Sequence, residues 1–151
     1  MSFRVDDLIG ADVQDLLRGH LDMMAEQSPA ESCHALDLSG LQASDVTFWS
    51  IWEDQILVGC GALKELDSRH GEIKSMHTST ACRGRGIAAA MLEHILEEAR
   101  GRGYCRLSLE TGSMDSFVPA RMLYSKYGFS ECAPFADYGE DPHSIFMTRV
   151  L

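Results

Sequence analysis

No stretch of the sequence reaches the run of about 18 apolar residues that a membrane-spanning helix needs, so no such helix is expected. Its first residues, Met1-Ser2-Phe3-Arg4-Val5-Asp6-Asp7, lack the apolar centre of a signal peptide, and a cytoplasmic location is expected. Cysteines number only five, at positions 33, 60, 82, 105 and 132, and no two have C-x-x-C spacing. That pattern excludes the usual zinc and redox motifs and fits reduced thiols, several of them buried as small apolar groups. The six histidines show neither H-x-x-x-H nor H-E-x-x-H, so no metal site is expected. Positive charge is also scarce: 13 basic residues face 23 acidic ones, a formal charge of −10. Nucleic-acid binding relies on clustered Lys and Arg, so that partner class is excluded. The surplus of negative charge would draw a cationic substrate, or serve solubility alone. Repeats, low-complexity segments and internal linkers are absent.

What is present is ordinary for one soluble domain: 151 residues, 45% hydrophobic and 24% charged. The segment that organises the rest is Cys82-Arg83-Gly84-Arg85-Gly86-Ile87-Ala88. It lies between a predicted strand at 72–79 and a predicted helix from Gly86 to about Arg100. In that helix Ile87, Met91 and Ile95 form one apolar row, and Ala88, Leu92, Leu96 and Ala99 form the next. Glycines at 84 and 86 let the backbone approach a ligand closely. The unpaired amides of the first helical turn, the helix dipole and two arginines then make an anion site, best suited to a phosphate or pyrophosphate.

Around this centre the elements read in order. Phe3–Ile9 is a short strand, and Ala11 to about Glu26 is an amphipathic helix ended by Pro29. A short helix near Glu31–Leu36 and a loop through Gly40 follow. Val46–Glu53 and Ile56–Leu66 form an antiparallel hairpin about Asp54-Gln55. Asp67–Gly71 is a turn. After the central helix, Tyr104–Thr111 alternates as a strand, and strand–helix–strand implies a parallel crossover. Ser116 is placed to N-cap a helix with Pro119 in its first turn, running to Tyr127. Phe129 to about Ala133 and Ser144–Leu151 are closing strands, joined by an acidic loop from Pro134 to His143. The fold class is α/β with a mixed sheet.

Three anion-binding motifs compete. A P-loop requires Lys followed by Ser or Thr after the glycines, and neither pair occurs. Gly84-x-Gly86-x-x-Ala89, with Glu110 ending the next strand, matches a dinucleotide fingerprint locally. The antiparallel start and short C-terminal remainder leave too few parallel units for that fold. The third candidate is the pyrophosphate of coenzyme A. Arg83-x-x-Gly86-x-Ala88 resembles the [QR]-x-x-G-x-[GA] acyl-CoA motif of the GNAT superfamily of N-acetyltransferases. Gly71–Thr78 looks like the strand preceding it there. Leu109-Glu-Thr-Gly112, with Ala120 to Phe129 containing Leu123-Tyr124-x-x-x-Gly128-Phe129, is similar to that family's second signature.

The resemblance implies a GNAT-like acyl-CoA N-acyltransferase fold, with antiparallel N-terminal strands, a splayed central parallel pair and a C-terminal helix and hairpin. It implies acetyl-CoA as acyl donor, with its pyrophosphate on Arg83, Gly84, Arg85, Gly86, Ile87 and Ala88 and its pantetheine arm along Met76, His77 and Thr78. It implies Tyr124 as the general acid for the leaving thiolate, and an acetyl transfer directly to a primary amine of a small molecule or peptide. The amine must shed a proton, since a free alkylamine has a pKa of about 10. Glu72 is the leading candidate base and Glu110 the competing one. Asp137, Glu140 and Asp141 would draw a cationic acceptor or simply solvate their loop. Homodimers are common in that family. One departure is the segment Ser116-Phe117-Val118-Pro119, where many relatives carry a cofactor-contacting Asn. The competing function is a non-catalytic module that holds an acyl-CoA as a regulatory ligand.

Overall fold

The computed structural model describes residues 1–27 and 38–151. Its elements are β1 (Ser2–Val5), α1 (Ala11–Gln27), α2 (Leu38–Leu41), β2 (Val46–Glu53), β3 (Ile56–Asp67), β4 (His70–Thr78), α3 (Ile87–Gly101), β5 (Arg106–Gly112), α4 (Val118–Lys126), β6 (Ser130–Cys132) and β7 (Ser144–Val150). The expected short helix at 31–36 lies outside the described residues. All seven strands form one sheet in the order β1-β2-β3-β4-β5-β7-β6. Only β4 and β5 run parallel; every other neighbouring pair is antiparallel. None of the described helices is long and apolar enough to cross a membrane.

Helices cover both faces. On one face α3 buries Ile87, Met91, Leu92, Ile95 and Leu96 against Leu63, Ile73, Leu107 and Leu109, and Tyr124 and Phe129 join the same cluster. The expected apolar row of α3 is therefore the one that packs. On the other face Val13 and Leu17 of α1 and Leu41 of α2 meet Phe48, Cys60 and Ala62. Strand β3 is sandwiched between them, and Val58 to Leu63 are all buried. Two of its residues are glycines because α3 comes so close. A Cβ on Gly59 would sit 2.9 Å from Ile87, and one on Gly61 would sit 2.6 Å from Met91.

Several element ends differ from the sequence expectation, each for a local reason. The first strand stops at Val5 rather than Ile9. The Asp6 and Asp7 carboxylates accept hydrogen bonds from the amides of Leu8 (2.8 Å) and Ile9 (3.2 Å), turning the chain. The expected loop through Gly40 contains α2, because burial of Leu41 (2% exposed) rewards the helical turn. The Asp67–Gly71 turn is shorter than expected. The Asp67 carboxylate accepts the Arg69 amide at 2.8 Å, and β4 already begins at His70. The Asp54-Gln55 hairpin is as expected, with both residues at positive φ (49° and 67°). Ser116 does not cap α4. It lies in a 3₁₀ turn, Asp115–Phe117, and the residue at the cap is Phe117, with no side-chain cap bond. Pro119 does stand at the start of the helix, as its locked φ favours.

Candidate active site

The ladder between β4 and β5 holds four pairs, from His70–Arg106 to Ile73–Leu109. Both strands continue, β4 to Thr78 and β5 to Gly112, yet from there each pairs only with its outer neighbour. A parallel sheet buried on both faces has little reason to open in its middle unless something enters the gap. Strand β4 is bent at the same place. Ser75 takes φ 54° and the register against β3 shifts between Cys60 and Ala62, which is a β-bulge. The extra residue brings Met76, three positions after Ile73, to the α3 face of the sheet.

Beyond β4 the chain makes a 3₁₀ turn, Thr80–Cys82, and enters the glycine loop. Gly84 and Gly86 both have φ +79°, the region that disfavours any Cβ. Among the described residues, no atom beyond the neighbouring residues lies within 4 Å of where a Cβ would stand on either glycine, so the loop faces open space. Gly86 is the N-cap residue of α3, and the amides of the first helical turn point out of the helix with no intrahelical partner. A cleft of about 480 Å³ joins these parts. Met76, His77 and Thr78 form one wall, and Arg83, Gly84, Gly86, Ile87 and Ala88 form its end. Residues around α4, among them Phe117 and Tyr124, form the other wall. Phe117 rests on Gly112 so closely that a Cβ there would be 2.3 Å from the ring. Arg121 braces the loop between them, donating from Nη1 to the carbonyls of Gly112 (2.7 Å) and Met114 (3.1 Å).

Arg85 is placed differently from expectation. Its guanidinium pairs with the Glu53 carboxylate at the end of β2 and is not among the residues that line the cleft. The pair forms because the glycine loop passes beside the β2–β3 turn, which supplies a nearby carboxylate.

Tyr124 is 7% exposed, with Phe129 edge-on at 6.0 Å. Burial, helped by the Glu110 carboxylate, pushes its phenol up to about 12. The hydroxyl is thus held protonated at neutral pH. Glu110 directly follows Leu109, the last residue of β5 that pairs with β4, and its charge also acts on Tyr138, whose phenol is pushed up by burial, Glu72 and Glu110. One carboxylate at the mouth of the gap therefore raises the phenols of both Tyr124 and Tyr138.

Glu72 lies on the opposite face of β4 from Ile73 and is 3% exposed. Its Oε2 accepts from Lys74 Nζ at 3.0 Å and from Tyr138 Oη at 2.5 Å. Lys74 Nζ also donates to Tyr138 Oη at 2.8 Å. A second, polar cleft of about 730 Å³ opens here, lined by Glu72, Lys74, His70, Asp67, Asp137 and Tyr138 among others. His70 Nε2 bonds to Ser108 Oγ at 2.7 Å, and burial lowers the pKa of the ring below its ordinary value. Of the three loop acids singled out from the sequence, Asp137 lines this cleft and Glu140 and Asp141 do not. The Asp141 carboxylate accepts the His143 amide at 2.8 Å and thereby sets the turn into β7. Lys74 and Tyr138 were not singled out from the sequence. Strand alternation puts Lys74 on the face of Glu72, but nothing in the loop composition marks Tyr138.

A mixed seven-stranded sheet with a split central parallel pair, and a glycine loop opening the helix between them, is the acyl-CoA N-acyltransferase fold. The chain belongs to the Acetyltransferase (GNAT) family, whose profile matches residues 14–129. It is 59% identical over 151 residues to an uncharacterized N-acetyltransferase, YsnE, of Bacillus subtilis, covering 100% of both chains. It is 49% identical over 150 residues to an uncharacterized N-acetyltransferase, YedL, of Escherichia coli, covering 99% of this chain and 94% of that one. Among solved structures, a putative acyl-CoA N-acyltransferase from Klebsiella pneumoniae superposes with a TM-score of 0.82 at 30% identity, covering 99% of this chain and 97% of that one. A more distant neighbour in fold, a GNAT family acetyltransferase from Elizabethkingia anophelis, was solved with acetyl-CoA bound (TM-score 0.69, 18% identity, 99% and 97% covered).

Proposed function

We propose that this acetyltransferase moves an acetyl group from acetyl-CoA directly to a primary amine of a small molecule or peptide. The observation that carries the reading is the single cleft running from the Gly84–Gly86 loop, along Met76–Thr78, to Tyr124. The loop amides and Arg83 suit a pyrophosphate, and the open edge of β4 suits an extended arm that makes strand-like hydrogen bonds. Acetyl-CoA supplies an acyl carbon activated as a thioester and a thiol leaving group.

The residues of the chain then have three tasks. A backbone amide near His77, on the edge of β4 that faces the gap, would polarise the thioester carbonyl. Tyr124, protonated and shielded from water, donates its proton to the departing sulfur as the carbon–sulfur bond breaks, and its phenolate regains a proton from the second one that the nitrogen sheds on becoming an amide. Glu110, at the mouth of the gap, takes the proton that the acceptor ammonium must lose before its nitrogen forms the new bond to carbon. Glu72 is the second candidate for that task; an ammonium and a phenol donate to one of its oxygens. The polar cleft beyond Glu72 receives the rest of the acceptor, and Asp137 on its rim favours a cationic one.

The test is release of free thiol from acetyl-CoA with a panel of primary amines, including polyamines, amino sugars and peptides with free N-termini. Amine-dependent release that falls at least tenfold in Glu110→Gln supports the reading. Coenzyme A binding with no release for any amine would return the chain to a binding role.

A further inference from the structure

The group formed by the buried Glu72 with the half-buried Lys74 and Tyr138 has a use that proton transfer does not require. Tyr138 is the only one of the three that comes from the loop at 133–143. Its hydroxyl reaches down to strand β4, 66 positions away in sequence, to meet Glu72. Its ring is held from the sides as well. Phe135 stands edge-on at 5.2 Å and Phe146 of β7 lies at 5.3 Å, while the Lys74 ammonium sits 5.5 Å from its ring centroid. Positions 136 to 141 contain Gly139 and three acidic residues and pair with no described strand, and a turn bond from the Tyr138 amide to the Phe135 carbonyl (3.0 Å) shapes the segment locally. Yet this segment, through Ala136, Asp137, Tyr138 and Gly139, forms one wall of the polar cleft.

We propose that Glu72 and Lys74 are positioning residues that latch Tyr138, and through it the loop, as the fixed wall of the acceptor cleft. This rests on the reading of that cleft as the acceptor site. A carboxylate held by two donors on one oxygen is a rigid anchor, and charge-assisted bonds of this kind are the stronger ones. Among the described residues, the charged and titratable groups that share the cleft with Glu72 are Lys74 and His70 on its own strand, Lys64, Glu65 and Asp67 on β3, Asp45 before β2, and Asp137 and Tyr138 on the loop. Lys74 balances the charge of Glu72, and Tyr138 ties the pair to the loop. An anchor needs only a hydrogen-bond acceptor at position 72, whereas a base needs a carboxylate, and this difference separates the two roles.

The experiment compares Glu72→Ala, Glu72→Gln and Tyr138→Phe. Tyr138→Phe keeps the ring among Phe135 and Phe146 and removes only the hydroxyl. The latch predicts that Glu72→Ala and Tyr138→Phe each raise the acceptor KM about tenfold, with the acetyl-CoA KM held within twofold. Glu72→Gln, whose amide oxygen still accepts from Tyr138, recovers most of that loss. Glu72→Gln as deficient as Glu72→Ala, with the deficit in kcat rather than acceptor KM, would make the carboxylate a reacting group and overturn the latch. Amide hydrogen exchange across 137–141 reads the latch without turnover and so separates it from the acetyl-transfer reading. It quickens in both Glu72→Ala and Tyr138→Phe if the latch holds the loop. Unchanged exchange in both variants overturns the inference, even in an active enzyme.

Discussion

Ile73 and Leu109 are the last residues at which β4 and β5 pair, and the bulge at Ser75 bends β4 two residues later. The order matters physically. The shared ladder up to Ile73 fixes the two strands relative to each other, so the gap beyond it is held open by the fold itself. A ligand arm entering there would meet strand edge at Met76–Thr78. The expected outcome is that coenzyme A slows amide hydrogen exchange within 76–78 and around 84–88 more than elsewhere in the sheet. Protection confined to the helix start, with none in 76–78, would show that the arm takes another path.

Tyr124 lines that cleft from α4. With its phenol pushed up to about 12, it is protonated throughout the neutral range. An acid must hold its proton to act, so its contribution is present below that pKa and is lost as the pH rises through it. The rate should therefore show no basic limb due to Tyr124 below about pH 10. Tyr124→Phe keeps the ring against Phe129 and is expected to cut turnover about 10²–10⁴-fold while leaving the acetyl-CoA KM nearly unchanged. Single-turnover rates with the variant are the measurement, and full turnover would remove the phenol from the reaction.

Gly86 and Gly112 are both needed, for different reasons. Gly86 has a left-handed φ with open space around it, so Gly86→Ala suffers backbone strain alone, about 1–2 kcal/mol. For a chain of this size that lowers the Tm by roughly 2–8 °C, and relaxation of the loop should raise the acetyl-CoA KM. Gly112 carries no such φ, but Ala there would drive into the Phe117 ring, which lines the cleft. Gly112→Ala should thus displace Phe117 and weaken cofactor binding through its wall rather than its anion loop. Thermal melts with and without coenzyme A distinguish the two: the ligand-induced rise in Tm shrinks in both variants, and salt-dependent binding changes only in Gly86→Ala.

Much of this was legible in the residues. The apolar row Ile87, Met91 and Ile95, the Asp54-Gln55 turn and the two glycines of the loop are local patterns, and local patterns survive folding because they need no distant partner. The contacts that were not legible are those made across the fold. Ser75 has no sequence mark of a bulge, since its positive φ is imposed by the sheet. Lys74 and Tyr138 meet across 64 positions of chain, and only the packing of Phe135 and Phe146 brings them together. Arg85 read as an anion ligand because it stands in the loop; the nearness of Glu53 is a property of the β2–β3 turn. Asp141 read as a substrate group because it is acidic, and the composition carries no sign of the bond it accepts from the amide two residues on.

His94 carries a prediction about stability and pH. It stacks on Phe3 of β1 at 4.5 Å and meets Trp49 edge-on at 5.0 Å, so it ties the first strand to α3. Its Nε2 is buried without a hydrogen-bond partner among the described residues. Burial lowers its pKa below the ordinary value near 6.5, while the Glu98 charge partly opposes this. A histidine depressed in the folded state binds its proton more readily when unfolded. Its stabilising effect is therefore present above the unfolded pKa and drains away as the pH falls from about 6.5 toward the folded value. His70, also lowered by burial, adds in the same direction. The Tm of the wild type should thus fall between about pH 7 and pH 5. His94→Phe, which keeps a ring between Phe3 and Trp49 and cannot be protonated, should flatten part of that fall and leave the His70 share. Melting curves across this range for both proteins make the comparison. An equal slope in the variant would place the pH dependence on other groups and leave the Phe3–His94 stack as packing alone.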